Sequence, residues 1–450
     1  MTKSELIRKY NVAGPRYTSY PTVPFWTDSP TQEQWLNCVN QQMKGDRSIS
    51  LYIHLPFCES LCTYCGCNTR ITVNHAVEGP YISALLKEWK MYVDKMDFTP
   101  LIKEIHLGGG TPTFFSAENL DRLMSGIFEL AEKAEDIECS FEAHPQNTTE
   151  DHLKLLYDWG FRRISFGIQD FDPEVQRIIN RKQSFEKIRD ITNASREIGF
   201  TSINYDLIYG LPRQTKASVI DTIEKVKILN PDRIAFYSYA HVPWIKPGQR
   251  SFTEKDLPQG IEKSILYEEG KALLEEKGYV EIGMDHFALK SDSLFDAMQT
   301  GNLHRNFMGY TSGRNQLLIG LGVSSISDSW TAFAQNVKTI EQYYKLLEEN
   351  SFPIFKGHLL NDEDLIIRKH ILNIMCNFET DWKNSASQFV ELEQVIMALK
   401  ELEQDGLVIL SPFHLKVTEK GRAFLRNICM AFDLRLLRKQ PATTLFSTTV

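Results

Sequence analysis

From about residue 48 to residue 238 the chain repeats one pattern, a short run rich in Ile, Leu, Phe and Tyr followed by a longer, helix-patterned stretch. The runs at 50–55, 103–107, 138–142, 163–168, 202–208 and 233–238 suit strands buried on both faces. Between them, 78–95, 116–131 and 184–198 carry apolar residues at helical spacing. Ser116 reads as a helix N-cap, with Glu118 and Asp121 placing negative charge near the helix start. Asn119 stands three residues after it, so the capping box is incomplete. Alternation of this kind implies βα units and a parallel sheet. Six units predict an α/β fold, a partial, TIM-like (β/α)6 barrel open on one side, with its active site at the C-terminal strand ends.

The first predicted strand runs into His54-Leu55-Pro56-Phe57-Cys58-Glu59-Ser60-Leu61-Cys62-Thr63-Tyr64-Cys65-Gly66-Cys67, which holds four of the chain's eight cysteines. Thiolates four and three positions apart can converge on one metal centre without a second half-site. Iron–sulfur clusters are held by such tight local runs. A zinc ribbon needs a second Cys or Cys/His pair across a longer loop, whereas Cys38, Cys139, Cys376 and Cys429 are single and scattered. Four ligands this close would also strain a zinc tetrahedron. A disulfide reading is weaker, since no signal peptide precedes the run and the expected compartment is the reducing cytoplasm.

A CxxxCxxC run directly after a short apolar strand resembles the signature of radical S-adenosylmethionine enzymes. The resemblance implies a [4Fe-4S] cluster on Cys58, Cys62 and Cys65, with one iron left open to chelate S-adenosylmethionine. One electron then cleaves the sulfonium bond and yields a 5′-deoxyadenosyl radical, so the cofactor does the hard chemistry and the protein orients it. Cys67 is either a bystander or a non-ligating thiol beside the cluster or substrate. Three ligands plus a neighbour is the preferred arrangement, because a fourth ligand closes the position the chemistry needs.

Other polar residues gather at the predicted strand ends. Gly108-Gly109-Gly110-Thr111-Pro112-Thr113 ends the second strand, where a glycine run serves close approach to a ligand or a mere tight turn. Glu142 ends the third, and a carboxylate there is costly unless paired; it meets a ribose hydroxyl or an ammonium group, or forms a surface salt bridge. Gln169 and Asp170 end the fourth strand, Asp206 lies late in the fifth, Arg181 follows a helical segment, and Tyr239-Ala240-His241 ends the sixth. Singly each is ordinary for a loop start. Together they can line one rim with hydrogen-bond partners for a nucleoside and an amino acid.

The remainder divides into an arm at 1–47, a barrel at 48–290, a barrel extension at 291–359 and a mostly helical domain at 360–450. Two prolines flank aromatics in Gly14-Pro15-Arg16-Tyr17-Thr18-Ser19-Tyr20-Pro21-Thr22, which argues against a helix there. A helical pattern at 391–404 followed by a hairpin at 406–418 resembles a winged helix; the segment is not strongly basic, so a lid or substrate-contacting role ranks above nucleic-acid reading. The polar stretch 440–450 is a docked tail or a frayed end. A length of 450 residues suits a core domain with accessories, and 42% hydrophobic with 24% charged residues is ordinary for a globular protein. No apolar stretch is long enough for a membrane helix. The net charge of −8 argues against general nucleic-acid binding but leaves room for a local basic pocket.

Nearly end to end, the chain resembles the oxygen-independent coproporphyrinogen III oxidase family. The resemblance rests on Arg16-Tyr17-Thr18-Ser19-Tyr20-Pro21-Thr22, the fourth thiol in Cys65-Gly66-Cys67-Asn68, the Gly108–Thr113 run, Phe166-Gly167-Ile168-Gln169-Asp170 and Asp206-Leu207-Ile208-Tyr209-Gly210-Leu211-Pro212. It continues through Tyr239-Ala240-His241, Ile282-Gly283-Met284-Asp285-His286-Phe287-Ala288, Met308-Gly309-Tyr310-Thr311 and Gly320-Leu321-Gly322-Val323-Ser324. It implies two molecules of S-adenosylmethionine beside the cluster. Tyr52, Tyr64 (by its backbone), Gly109, Glu142 and Ile326 would hold the first; Gly110, Thr111, Gln169, Arg181, Asp206 and Ala240 the second. Relatives often carry Phe where Tyr64 stands, and some carry an acid where His144 stands.

The implied reaction is oxidative decarboxylation of two propionate side chains of coproporphyrinogen III to vinyl groups, giving protoporphyrinogen IX in heme biosynthesis. The radical abstracts a hydrogen from the propionate β-carbon, and CO2 and one further electron then leave. Cys67, Tyr52 and Arg16 are the residues the resemblance marks for catalysis. A tetracarboxylate substrate needs cationic partners, and Arg16, Arg181, Lys246 and Arg250 are candidates by position, each against the alternative of a solvated surface charge. Tyr17 and Tyr20 either stack on the tetrapyrrole or pack on the barrel. An electron donor such as flavodoxin or ferredoxin, an unidentified electron acceptor, action as a monomer, and no nucleic-acid or membrane partner complete the expectation. The main alternative is a heme-binding relative of the same superfamily that carries heme as a chaperone; such relatives generally lack the Arg16–Thr22 arm and the fourth cysteine. A radical enzyme for another substrate ranks lower, and pure electron transfer does not explain the strand-end rim.

Overall fold

The computed structural model describes residues 1–313, 315–438 and 446–449. Six strands, β1 (Ser48–Leu55), β2 (Leu101–Gly109), β3 (Glu132–Ala143), β4 (Phe161–Gln169), β5 (Ser202–Tyr209) and β6 (Arg233–Ser238), pair in chain order, each parallel to the next. Parallel neighbours need long crossovers. Helices Glu78–Val93, Ala117–Phe128, Glu150–Asp158, Phe185–Ile198 and Lys216–Leu229 supply them, and Ile261–Glu276 follows β6. This is the expected partial (β/α)6 barrel. β1 is buried at every position, as coverage on both faces requires. β3 starts at Glu132 rather than at 138, because its first residues are mostly exposed and polar and so leave no hydrophobic signature.

Ser116 caps Ala117–Phe128, its Oγ accepting the Asn119 N–H at 3.3 Å. Buried Glu78 fills the missing half of the capping box: its Oε2 accepts from Ser116 N and from Asn119 Nδ2, both at 2.8 Å.

The sheet continues beyond six strands. With β7 (Val280–Gly283), β8 (His286–Ala288), β9 (Leu318–Leu321), β10 (Ile326–Asp328), β11 (Ala332–Asn336) and β12 (Ile354–Leu359), its order is β12-β11-β10-β9-β1-β2-β3-β4-β5-β6-β8-β7. β9 runs parallel to β1, and the outer strands are antiparallel.

Apolar residues form two large cores. One fills the space between the sheet and its helices; the other joins helices Asp362–Asn377, Leu392–Gln404 and Leu425–Phe432 to the start of the chain. Two arm helices were missed by sequence reasoning, although each opens on a capping box, Thr2 with Glu5 and Thr31 with Gln34. Gln32–Gly45 buries Trp35, Val39 and Met43 in the first core, and Lys3–Tyr10 buries Leu6 and Ile7 in the second. The expected hairpin is Val408–Ser411 paired with His414–Val417, joined by Glu379–Asp381 into a three-stranded wing. Residues 440–445 and 450 of the predicted tail lie outside the described residues. Of the rest, Ser447 and Thr449 exchange backbone hydrogen bonds with Gly14 and Val12, at 3.1 and 2.8 Å, so this part of the tail is docked on the arm. Among the described residues no helix is long and apolar enough to cross a membrane.

Candidate active site

β1 ends at Leu55, and Phe57-Cys58 then pairs in parallel with Arg70-Ile71, so the cysteine loop leaves and rejoins the barrel at one point. Its far side is pinned to the β4–β5 crossover, where Thr63 N donates to Ile179 O at 3.0 Å and Asn180 Nδ2 to Leu61 O at 2.7 Å. The glycines ending β2 make room for this loop. A Cβ on Gly110 would lie 2.6 Å from the Pro56 carbonyl carbon, and one on Gly109, at φ +111°, 2.6 Å from the His54 ring. The close approach predicted for a ligand is therefore made first by the chain itself. Gly110 N and Thr111 N donate to Leu55 O and Phe57 O at 2.8 and 3.0 Å.

A cavity of about 250 Å³ opens over these strand ends, lined by Cys58, Cys62, Cys65 and Cys67 with Tyr64, Gly109, Gly110, Thr111, Glu142, Gln169, Arg181 and Asp206. Cys58 Sγ is 3.3 Å from Thr111 Oγ1, and Arg181 Nη1 donates to Cys62 Sγ at 3.5 Å. Burial pushes the Cys58 thiol up to about 11. A hydrogen bond from Cys67 brings Cys65 down to about 6 and pushes Cys67 itself up, so the pair offers one thiolate rather than two. Among the described residues no three His, Cys, Asp or Glu side chains converge on one ion. Cys58, Cys62 and Cys65 on one cavity wall are the donor set of a cluster, whose ligands sit on different irons.

The remaining lining residues are held by local backbone devices. Gln169 occupies the left-handed region at φ +68°, where the β4–β5 register slips; an irregularity of this kind re-aims a side chain at a strand end. Arg181 is almost fully buried, with Nε and Nη2 donating to Gly167 O at 3.1 and 2.5 Å. Any side chain on Gly167 would collide with it, since a Cβ there lies 2.7 Å from Arg181 Nη2. Glu142 accepts from Gly109 N at 3.0 Å and lies 3.6 Å from His106 Nε2. Burial alone would raise its pKa, but the His106 and Gly109 contacts outweigh burial and hold it below the usual range. Asp206 accepts from Ser165 Oγ and Asn204 Nδ2, both at 2.9 Å, and burial together with the nearby Glu142 charge pushes it up to about 6. Burial and the Arg181 charge bring His144 down to about 3, so it is a neutral imidazole in the cavity wall. A second cavity of about 180 Å³ lies inside the barrel and shares Glu142, Ser165, Asp206 and Tyr237 with the first.

Other predicted residues lie beside the cavity or away from it. Tyr52 hydrogen-bonds through its OH to His54 Nδ1 at 3.0 Å, and its ring closes on Gly108 next to Glu142. Ile326 packs its backbone on Gly320, which is the β9 partner of Tyr52. Ala240 is tied to the cysteine loop by Gln249, whose Nε2 donates to Ala240 O at 3.2 Å and to Tyr64 O at 3.1 Å. Gln249 is fully buried in this bridge and was missed by sequence reasoning, since an amide in a loop gives no pattern. His54, His106 and Tyr237 were missed too; they lie on strands that read only as core. Asp170 is not part of the rim. It is completely buried and accepts from Gln214 Nε2 at 2.6 Å and Thr222 Oγ1 at 3.1 Å, which makes it a structural carboxylate. His241 pairs with Tyr239 OH at 3.1 Å and lies outside the cavity lining.

Arg16 is also elsewhere. Its Nη1 contacts Asp285 Oδ2 at 3.2 Å and its Nη2 donates to Ser238 O at 2.8 Å, in a separate pocket of about 60 Å³ with Arg422 and Arg426. Tyr17 and Tyr20 are each 2% exposed and pack in the C-terminal core rather than on the barrel; Tyr17 OH donates to Asp433 Oδ2 at 3.0 Å. Neither ring is free to stack on a tetrapyrrole. Lys246 Nζ donates to Cys67 O at 3.0 Å, whereas exposed Arg250 donates to Pro243 O at 2.9 Å.

Comparison with known proteins gives the following. Residues 52–226 match the family model of the radical SAM superfamily. The chain is 41% identical to oxygen-independent coproporphyrinogen III oxidase of Escherichia coli (strain K12) over 444 residues, covering 96% of this chain and 95% of that one. It is 38% identical to the protein of the same name from Helicobacter pylori (strain J99), with 96% of each chain covered. A solved structure of Escherichia coli coproporphyrinogen III oxidase, described as a radical SAM enzyme, superposes with a TM-score of 0.89 at 39% identity, over 94% of this chain and 98% of that one.

Proposed function

The chain belongs to the oxygen-independent coproporphyrinogen III oxidase family, and from that premise we propose that it converts two propionate side chains of coproporphyrinogen III to vinyl groups, giving protoporphyrinogen IX in heme biosynthesis. One observation carries the assignment: a single cavity joins Cys58, Cys62 and Cys65 to Glu142, Arg181 and Asp206. When bound, a [4Fe-4S] cluster with S-adenosylmethionine supplies the 5′-deoxyadenosyl radical that begins the reaction.

Cys58, Cys62 and Cys65 hold the cluster, and Cys67 stays protonated beside it. Glu142, ionised at neutral pH, accepts from the ammonium or ribose groups of the first S-adenosylmethionine, with Tyr52, Tyr64, Gly109 and Ile326 around it. Thr111, Gln169, Arg181 and Asp206 orient the second, with Gly110 and Ala240 bordering it. The Arg181 guanidinium, locked on Gly167 O, also places positive charge against Cys62. Tyr52 and Cys67 are assigned to the chemistry itself; Arg16, paired with Asp285 in its own pocket, is not. An electron donor of the flavodoxin or ferredoxin type, a separate electron acceptor, a monomeric state and a cytoplasmic location belong to the same proposal. So do functional boundaries near residues 48, 290 and 360; the two cores part between Phe352 and Ile367, near the last of these, while the second core runs across residue 290 from Ile282 to Tyr310.

Anaerobic turnover of coproporphyrinogen III by reconstituted protein with S-adenosylmethionine and dithionite tests the function. Protoporphyrinogen IX together with 5′-deoxyadenosine is the expected result. Stoichiometric heme binding without turnover would move the assignment to the heme chaperone.

Asp206 makes binding of the cofactor pH-dependent. Its pKa of about 6 lies above the ordinary aspartate value, so the accepting carboxylate is lost as pH falls through 6. The KM for S-adenosylmethionine is expected to rise about tenfold per unit well below pH 6. Asp206→Asn should have a raised KM that is flat across the same range. An unchanged acid limb in that variant would remove Asp206 from this role.

A further inference from the structure

The cysteine loop reaches the surface, and the residues around it there are apolar. Leu61, Ile71, Val73, Trp244 and Ile245 are 40% to 75% exposed. Large apolar side chains grouped at a surface mark an interaction site, and these five are carried by segments that contact one another. Leu61 and Ile71 edge the cavity. Ile71 pairs with Cys58, and Thr72 N donates to Cys58 O at 2.9 Å just before Val73. The turn that carries Trp244 and Ile245 rests on the same loop. Lys246 Nζ reaches Cys67 O at 3.0 Å, and a Cβ on Gly248 would touch Leu61 Cδ2 at 3.5 Å.

The margin of this patch is cationic on a chain whose net charge is −8. Lys182 and Arg250 are exposed beside Arg181 and Gln249, and Lys246 is half-exposed. Of the acids in the loop and turn, Glu59 already faces His75 at 3.5 Å. An apolar centre with aromatic character and a charged rim matches the anatomy of protein interfaces. Redox encounters use small ones, below about 1,200 Å² in total.

We propose that this patch is the docking surface for an acidic one-electron carrier protein that reduces the cluster. The proposal rests on the function given above, which requires an electron to arrive at the cysteine loop. The step moves one electron from the reduced carrier to the cluster and leaves the carrier oxidised, with no bond made or broken. The rim cations steer the acidic partner and make the encounter salt-dependent. The apolar centre supplies contact area without a long-lived complex.

Trp244→Ser and Ile245→Glu test this, since neither residue lines the cavity. The probe is a purified flavodoxin, followed by titration calorimetry and by its rate of cluster reduction. Wild-type binding is expected to weaken as salt rises from about 50 to about 300 mM. Each variant should raise the Kd for flavodoxin about tenfold or more, with Ile245→Glu the worse, while cluster absorption is kept and dithionite-driven formation of 5′-deoxyadenosine stays within twofold. Unchanged flavodoxin affinity in both variants overturns the proposal, as does no measurable wild-type binding. A parallel loss of dithionite-driven turnover with a raised KM for coproporphyrinogen III also overturns it and assigns the patch to the substrate. If wild-type protein binds flavodoxin through Trp244 but makes no protoporphyrinogen IX with dithionite, the functional assignment fails and the docking surface stands.

Discussion

Cys62→Ser is expected to abolish both the visible absorption of the reconstituted cluster and all turnover, whereas Cys67→Ser keeps the absorption and loses activity alone. The two thiols are five positions apart in one loop and line one cavity, so proximity does not separate them. Their surroundings do. Cys62 lies 3.5 Å from the Arg181 guanidinium, which is itself locked on Gly167 O. Cys67 shares a hydrogen bond with Cys65 that favours the thiolate on Cys65 and the proton on Cys67. Iron content and the absorption spectrum read this directly. Loss of the cluster in Cys67→Ser would show that the fourth thiol is a ligand and overturn the three-ligand assignment.

Gly110→Ala should nearly empty the same site without touching a single predicted ligand. The added Cβ meets backbone atoms, with the Pro56 carbonyl carbon at 2.6 Å, its oxygen at 2.7 Å and Phe57 O at 2.8 Å. Flexible side chains yield to such a contact, but these atoms belong to the short bridge between β1 and Cys58. That bridge must shift, taking with it the hydrogen bonds from Gly110 N to Leu55 O and from Thr111 N to Phe57 O. Overpacking of this kind costs about 1–3 kcal/mol, here concentrated where Cys58 is placed. The measurement is iron bound per chain after reconstitution, beside the urea midpoint. A stability loss with full cluster occupancy would mean that the loop adapts and that Gly110 serves the fold alone. Gly66→Ala is the control in the same region, since nothing lies within 4 Å of a Cβ there.

Much of the barrel was legible because its physics is local. β1 is buried at every position and reads as a continuous apolar run, β2, β4 and β5 read through their largely alternating buried residues, and the helix that follows Ser116 is announced by its cap. The polar first half of β3 was not legible, because it is mostly exposed. The cysteine spacing likewise carries its chemistry on its face, since ligand spacing within one loop needs no folding to be read.

The sequence by itself determined the repeating βα architecture, the three-thiol loop and the polar residues at the strand ends, all set by short-range pattern and covalent connectivity. Tertiary structure alone decided which polar residues face the cavity. Gln169 and Asp170 are neighbours, yet a left-handed backbone and a slipped register turn Gln169 into the cavity, while Asp170 is buried among Gln214 and Thr222. Arg16 and the arm tyrosines looked like substrate contacts, but the arm belongs to the C-terminal core, hundreds of residues away in sequence, and is held there by Asp285 and Asp433. Gln249 gained its place by bridging two loops that only the folded barrel brings together. A side chain's direction depends on backbone register and on partners distant along the chain, and neither is written in its neighbours.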